Sequence, residues 1–412
     1  MTRSNPGPIS LNYGTEGRFS CEIDAARVVA SRIGPRAVSQ LGDEIARSLA
    51  HPVAFPPLVQ AVISDDHVVL ALDRYTPQAA SLVAAVWVVL EDREVDPARV
   101  TVLQPVPLNG TPLPDPRSEL PEHARQAMAW KTHDPTSDLC AYLAATSSGE
   151  RIYLARELID ADIVITLGSI EYDSVLGYRG TNSVFYPGLS NADAVAKAHG
   201  QGHRELGPDD TRPLRQLIDE IGWLLGTQFT LQVIPSTGTD VAGVVAGTYD
   251  SVLQEGKQAL AEGWLVELDR RADIVVAAVD VDARGHGWTQ VGAALATARN
   301  LVAREGKIIL LSELDEELGA GLELLAEADA PRDASPQLRA QSPADLVGAT
   351  QCIEAVDWAD VYLLSELPSD LVEDLFMIPL TNDKEVLRLL ESGGTCAFVG
   401  SAQHAHGQLR QD

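Results

Sequence analysis

One stretch of the chain, residues 161–190, places reactive side chains directly after a predicted strand. Its sequence is ADIVITLGSIEYDSVLGYRGTNSVFYPGLS. The apolar run Ile163–Thr166 predicts a buried strand that breaks at Gly168, and the carboxylates of Glu171 and Asp173 follow. Open α/β sheets bind ligands where their strands end and the chain turns polar. We therefore expect the functional site in this stretch.

Glu171 and Asp173 are two residues apart, so in an extended segment their side chains share one face. Such a pair of carboxylates can exchange protons with a substrate or hold a metal ion. The alternative is that both acids accept hydrogen bonds from backbone N–H groups of the loop. The residues alone leave both interpretations open.

Asp73 stands at the end of a second buried run, His67–Leu72, and before a predicted helix over residues 78–92. The N–H groups at the start of a helix bind anions, and Arg74 and Thr76 are placed to assist. The alternative is that Asp73 only caps the helix. The sequence is compatible with both roles of Asp73.

His199 and His203 have the spacing of two metal ligands on a helix. Gly200 and Gly202 lie between them and weaken a helix there. Surface histidines are therefore the simpler interpretation of the pair, and His199 alone is the better metal-ligand candidate.

Three further histidines lie in the last third of the chain. His286, within Gly285–Gly287, is in a turn at the start of a predicted helix and could face a cleft between domains, where ligand sites are frequent. His404 and His406 are close to the C-terminus, and we predict that they belong to a solvated tail.

The order of apolar runs predicts an α/β fold of two α/β domains with largely parallel sheets. A βαβ unit over residues 67–103 belongs to the first domain. The pattern restarts after a long predicted helix, Thr248–Leu268. The predicted boundaries are residues 1–247 for the N-terminal domain, 248–270 for a linking helix and 271–412 for the C-terminal domain.

Three other segments have clear local patterns. Phe229–Ile234 and Val241–Val245 flank a turn and predict an antiparallel pair of strands. Residues 330–343 are predicted to be a polar loop.

Composition excludes several classes of protein. The 412 residues include 59 acidic and 31 basic side chains, a net charge of −28, which disfavours nucleic acid and anionic membrane surfaces as partners. The four cysteines are far apart and predict buried thiols in a reducing compartment. The N-terminus lacks an apolar signal segment, and the run Ala79–Leu90 is too short to span a bilayer. We expect a cytoplasmic protein.

The chain resembles the nickel-pincer lactate racemase family over most of its length. The strongest part of the resemblance is Gly168–Gly188, with Gly177 and Gly180 at matching intervals and the closing pair Pro187-Gly188. The segment from Asp73 to Thr76 and Pro77 is similar to the first substrate-loop motif of that family.

This resemblance implies two α/β domains with the site in the interdomain cleft. It also implies hydride transfer at the α-carbon of a 2-hydroxy acid, carried out with a nickel pincer nucleotide and two histidines. The tethering lysine of the family corresponds to Ser183, and the two histidines correspond to Asp173 and the region of Pro107. The resemblance implies cofactor contacts at Asp73, Thr76, Gly177, Gly180, Ser183 and Gln290, and a nickel ligand at His199.

Three functional hypotheses follow. The first is a 2-hydroxy acid racemase or epimerase that holds the nickel pincer nucleotide without a covalent bond. The second is a non-catalytic relative that binds a small hydroxy acid as a sensor or scaffold. The third is metal-dependent chemistry that uses Glu171, Asp173 and His199 directly.

Overall fold

A computed structural model describes residues 8–107, 112–136, 139–199 and 207–410 of the chain. The fold is α/β, with two large and mainly parallel sheets, as predicted. The chain divides into two units, which we call the central unit, Arg36–Ala261, and the terminal unit, Met1–Pro35 with Glu262–Asp412.

The elements of the described residues are as follows. The strands are β1 Ile9–Tyr13, β2 Gly17–Cys21, β3 Val28–Arg32, β4 Val68–Leu72, β5 Val100–Pro105, β6 Ala129–His133, β7 Cys140–Ala145, β8 Arg151–Ala155, β9 Ile163–Ser169, β10 Glu171–Asp173, β11 Gly177–Arg179, β12 Phe229–Pro235, β13 Val241–Gly247, β14 Leu265–Leu268, β15 Ala272–Ala278, β16 Val302–Leu311, β17 Asp360–Leu364, β18 Ile378–Leu380, β19 Cys396–Val399 and β20 His406–Leu409. The helices are α1 Leu41–Ala50, α2 Leu58–Ala61, α3 Ala79–Asp92, α4 Glu122–Ala127, α5 Arg156–Ile159, α6 Ala192–Ala198, α7 Pro213–Leu225, α8 Tyr249–Trp264, α9 Trp288–Leu301, α10 Ala320–Ala326, α11 Ala334–Gln341, α12 Leu346–Trp358, α13 Ser369–Asp374 and α14 Asp383–Glu391.

The central unit contains a six-stranded sheet with the order β13-β12-β9-β4-β5-β6. Strands β12, β9, β4, β5 and β6 are parallel, and β13 is antiparallel to β12. Along the chain, β4 to β6 extend the sheet in one direction, and β9 then pairs on the other side of β4. The strand order therefore reverses between β4 and β9. The predicted βαβ unit and the predicted antiparallel pair are both confirmed.

Strand β4 and helix α3 lie at the centre of this unit. All five residues of β4 are buried, since the strand is covered on both faces. The helix buries one side, including Val83, Val86 and Trp87, in the same apolar cluster as Leu70 and Leu72. No helix in the described part of the chain is long and apolar enough to cross a membrane.

The terminal unit contains a six-stranded parallel sheet with the order β18-β17-β16-β15-β19-β3. Strand β3 comes from the start of the chain and pairs with β19, in register from Val28 opposite Cys396. Residues 8–35 are therefore part of this unit, whereas the sequence predicted an N-terminal domain over 1–247.

The predicted helix Thr248–Leu268 is wrong at its C-terminal end. Helix α8 ends at Trp264, and Leu265–Leu268 is strand β14, which pairs in parallel with β20. The predicted solvated tail is also wrong, because His404 is only 6% exposed and His406 begins β20. The alternation that buries Val266 and Leu268 accounts for the strand.

Two other local predictions were wrong. Residues 330–343 contain helix α11, which buries Ala334 and Leu338, rather than only a polar loop. Strand β9 does not break at Gly168 but continues to Ser169, because Gly168 pairs with Gln232 of β12. A side chain at 168 would approach the Gln232 amide to 3.0 Å, so glycine suits this close pairing.

The four cysteines are unpaired thiols. Cys21, Cys352 and Cys396 are buried and Cys140 is half-buried. Burial raises the pKa of Cys21 to about 11 and that of Cys352 to about 12. These thiols are therefore protonated at neutral pH and act as packed apolar groups.

Candidate functional site

The candidate site lies at the carboxyl ends of β4 and β9, where the strand order of the central sheet reverses. Asp73 follows β4 directly, and its backbone N–H donates to the carbonyl of Leu167 in β9 at 2.8 Å. Glu171 follows β9 after one intervening residue. In doubly wound sheets the crevice at such a reversal is the usual ligand site. The two predicted loops thus meet at one place.

An ion pair between Asp73 and Arg179 joins these loops. The Nη2 atom of Arg179 donates to Oδ2 of Asp73 at 2.7 Å, and the side chains are only 20% and 8% exposed, respectively. Arg179 reaches this position from the hairpin β10–β11, where it lies directly opposite Glu171. The hairpin therefore places one arginine between two carboxylates.

Neighbouring carboxylates stabilise the positive charge of the Arg179 guanidinium. Burial lowers the pKa of its guanidinium, but the carboxylates of Asp73, Glu171 and Asp173 outweigh burial and leave the pKa above its ordinary value. Arg179 is therefore a fixed cation at the centre of the site.

Arg74 contributes a second guanidinium beside Asp73. Its backbone N–H donates to Oδ1 of Asp73 at 2.8 Å, and its Nε donates to the carbonyl of Val106 at 2.8 Å. Burial lowers the pKa of Arg74, and the nearby charge of Arg179 lowers it further, while Asp73 opposes both effects. No hydrogen bond to the described residues engages the two terminal nitrogens of Arg74. These nitrogens are the donors best suited to an incoming anion.

The predicted acid pair, Glu171 and Asp173, has two different environments. Glu171 is 6% exposed and accepts a hydrogen bond from the hydroxyl of Ser169. Asp173 is half-buried, and its Oδ1 accepts from the N–H groups of Val175 and Leu176 at 2.8 and 2.7 Å. Asp173 thus closes the turn of the β10–β11 hairpin, as in the capping alternative.

This role of Asp173 predicts a graded loss of stability. Asp173→Ala is expected to lower the free energy of unfolding by about 1–2 kcal/mol, because two backbone N–H groups lose their acceptor. Asp173→Asn keeps a side-chain oxygen and is expected to cost less than half as much. Urea unfolding of both variants measures the difference. Equal losses would mean that the negative charge, rather than the turn, is what the chain requires at 173.

The three loop residues predicted to contact a cofactor, Gly177, Gly180 and Ser183, determine the course of the loop backbone. Gly177 has φ +78°, and a Cβ there would lie 2.2 Å from the carbonyl oxygen of Pro208. Gly180 has φ +107°, and a Cβ there would lie 2.9 Å from the carbonyl oxygen of Ser169. The hydroxyl of Ser183 accepts from the N–H of Gly180 at 2.8 Å. All three residues fix the path of the chain between β11 and the next turn.

Thr76 and Gln290 also make internal contacts. The hydroxyl of Thr76 donates to the carbonyl of Asp73 at 2.8 Å and is buried. Gln290, in the terminal unit, is 3% exposed; its Oε1 accepts from Gly287 N at 3.1 Å and its Nε2 donates to Asp282 at 3.0 Å. Both ends of the Gln290 amide thus stabilise the start of α9.

The described residues do not fit a covalently held nickel pincer nucleotide. Ser183 has no amine, and its hydroxyl already caps the loop. His199 is exposed at the end of α6, and His203 lies outside the described residues. In the ranges that the structure describes, no group of three His, Cys, Asp or Glu side chains could hold a metal ion.

Sequence reasoning missed two arginines of the site. Arg179 could have been identified from the sequence, because it is the only basic residue in 161–190. Arg215 of α7 donates to the carbonyls of Tyr178 and Gly180 at 3.3 and 3.4 Å and to the hydroxyl of Thr181 at 3.1 Å. It holds the loop from a helix that is distant in sequence, and no local pattern indicates this.

The fold and the site define an α/β protein with a doubly wound sheet and a cluster of charged side chains at its strand-order reversal. Residues 13–206, just under half of the chain, match the family model described as the lactate racemase N-terminal domain. The predicted resemblance is therefore confirmed, and the chain is a lactate racemase-like protein.

Solved structures show the same fold. The lactate racemase apoprotein from Thermoanaerobacterium thermosaccharolyticum matches with a TM-score of 0.78 and 15% identity, over 98% of this chain and 100% of that one. A protein from Thermotoga maritima matches with a TM-score of 0.66 and 13% identity, over 90% and 98% of the two chains. A comparison with curated proteins gave no significant match.

Proposed function

We propose that this lactate racemase-like protein binds a small 2-hydroxy acid at the strand-order reversal of the central unit, as a sensor or scaffold rather than as a catalyst. The observation that carries the proposal is the buried ion pair between Asp73 and Arg179, with Arg74 beside it. The group at position 183 is a loop cap instead of an amine, which favours binding without a tethered cofactor.

The site offers complementary groups for both ends of such a ligand. Arg74 supplies N–H donors for the carboxylate, and arginine forms paired hydrogen bonds with carboxylates. Glu171 supplies acceptor oxygens for the 2-hydroxyl group. Helix α3 begins six residues after Asp73 without a side-chain cap, so its first N–H groups add positive potential.

Local charge supports an anionic ligand. The carboxylates of Asp73, Glu171 and Asp173 interact with Arg179, and Arg74 and Arg212 lie close to members of the same group. Counting Asp210 beside Arg212, three arginines offset most of the charge of four acids, in a chain whose net charge is −28. A carboxylate therefore meets less repulsion here than the overall charge of the protein suggests.

A ligand panel tests this proposal on the purified full chain. D-lactate, L-lactate, glycerate and gluconate are titrated by calorimetry, with propionate as a control that has the carboxylate but no 2-hydroxyl. At least one hydroxy acid is expected to bind about tenfold or more tightly than propionate, a difference of about 1.4 kcal/mol. Equal or absent binding across the panel would contradict the proposal.

The second candidate function is a 2-hydroxy acid racemase or epimerase that acts by hydride transfer with a nickel pincer nucleotide bound non-covalently. The match of residues 13–206 to the lactate racemase N-terminal domain favours it. Nickel analysis and native mass spectrometry after coexpression with cofactor-making enzymes test for the cofactor. Chiral chromatography of each panel acid tests for turnover, and stereochemical inversion of any acid would favour this candidate over the first.

The proposal also covers the cellular location and the partners of the protein. We propose a cytoplasmic protein whose partner is the small hydroxy acid, with no nucleic-acid or membrane partner. The net charge of −28 supports this, since it opposes association with polyanions and anionic lipid surfaces. Retention on heparin at physiological salt would count against it.

A further inference from the structure

Three arginine side chains of the terminal unit surround one tryptophan. The guanidinium carbons of Arg271, Arg299 and Arg304 lie 4.9, 5.2 and 5.0 Å from the centre of the Trp358 ring. Any two of these cations are therefore within about 10 Å of each other, near the Debye length of about 8–10 Å at physiological salt. We call this group the arginine cluster.

The arginine cluster lies at the amino-end edge of the terminal sheet. Arg271 precedes β15, Arg304 is the third residue of β16, and Trp358 ends α12 two residues before β17. Arg299 is in the last turn of α9, which leads into β16. The cluster is thus built from three separate segments of the chain, around residues 271, 299–304 and 358, which the sheet brings together.

The anchoring of the cluster is rigid. Nη1 of Arg271 donates to the carbonyls of Arg299, Asn300 and Val302 at 2.9, 2.7 and 3.2 Å. The indole N–H of Trp358 donates to the carbonyl of Val302 at 3.1 Å. These bonds fix Arg271 and the ring in place. Nη1 of Arg299 donates to Oδ1 of Asn300 at 3.3 Å.

The arginine cluster has no ion-paired carboxylate among the described residues. The chain carries 59 acidic side chains, yet Arg271, Arg299 and Arg304 form no ion pair with a carboxylate in that part of the structure. The Nε atom of Arg299 is buried and has no hydrogen-bond partner there. Burial lowers the pKa of Arg271, and the charge of Arg299 lowers it further. Cation–π contacts with Trp358 oppose the repulsion among the three cations.

We propose that the arginine cluster is a binding site for a multivalent phosphoryl anion. Guanidinium groups present paired N–H donors that match phosphate oxygens, and three of them balance a ligand of two or three negative charges. A single carboxylate neutralises only one of the three. Arg304 is exposed and provides the entrance of the site.

Pyrophosphate is the probe for this site. The full chain is titrated by calorimetry with sodium pyrophosphate, with inorganic phosphate, citrate and sodium chloride at matched ionic strength as separate arms. Arg304→Gln is expected to weaken pyrophosphate binding about tenfold, the effect of losing one charged hydrogen-bond donor. Arg304→Lys keeps the charge without the paired donors and is expected to lie between Arg304→Gln and the unchanged protein.

Arg339→Gln is the matched control, because Arg339 is an exposed arginine on α11 of the same unit. It is expected to bind pyrophosphate like the unchanged protein. The proposed site would be contradicted if pyrophosphate gave no more binding than sodium chloride at matched ionic strength. Equal effects of Arg304→Gln and Arg339→Gln on pyrophosphate binding would also contradict it. Citrate binding as tight as pyrophosphate binding would overturn its assignment to phosphoryl groups.

Discussion

Replacing Arg179 with methionine is expected to lower the free energy of unfolding by about 3–5 kcal/mol, because Asp73 would stay buried without its counter-ion. The ion pair is short, 2.7 Å, and both side chains are largely removed from water. Methionine keeps the apolar contacts of the arginine stem, so the loss reports mainly the missing charge. Urea unfolding followed by circular dichroism gives the stability.

Two further variants make this test specific. The double variant Arg179→Met with Asp73→Asn removes both charges and is expected to regain a substantial part of the lost stability. Arg339→Met, an exposed arginine on α11, is expected to change stability by less than about 0.5 kcal/mol. A loss below about 1 kcal/mol for Arg179→Met would show that the pair is an ordinary surface contact.

Replacing Gly177 with alanine is expected to cost about 3 kcal/mol or more. Its φ of +78° disfavours any side chain, and the added Cβ would lie 2.2 Å from the carbonyl oxygen of Pro208. A backbone carbonyl cannot move aside as the end of a flexible side chain can, so the hairpin β10–β11 must shift. The shift would displace Arg179 from Asp73, and ligand binding is expected to fall together with stability.

Gly149 provides the control for this prediction. Its φ is +84°, close to that of Gly177, but a Cβ there meets no atom within 4 Å. Gly149→Ala should therefore show only the backbone cost, about 1–2 kcal/mol. The difference between the two variants measures the contact with Pro208. Equal losses would mean that Gly177 has no special role in the packing of the loop.

Local sequence patterns predicted the elements of the central unit well. The buried run before Asp73, the apolar helix α3 and the antiparallel pair β12–β13 each follow from periodicity and turn residues within a short segment. The start of α6 was also predictable, since the side chain of Asn191 caps it by accepting from Ala194 N at 3.1 Å.

Pairings between distant segments could not be predicted from such patterns. Strand β3 joins the terminal sheet next to β19, and β20 pairs with β14. Strands β3 and β20 are short and only weakly apolar, so neither is evident from the sequence pattern. The ion pair between Asp73 and Arg179 also joins distant segments, since the two residues are 106 positions apart. The glycine and serine positions of the loop were found from the sequence, but their capping and packing contacts depend on the folded chain.

The most direct test of the proposed function is the dissociation constant of the best hydroxy acid of the panel for Arg74→Gln, with Arg36→Gln, an exposed arginine of the same unit, as control. Loss of a charged hydrogen-bond donor to the ligand carboxylate is expected to raise the dissociation constant about tenfold or more for Arg74→Gln. The control is expected to bind like the unchanged protein. An unchanged dissociation constant for Arg74→Gln would contradict the placement of the ligand between β4 and β9.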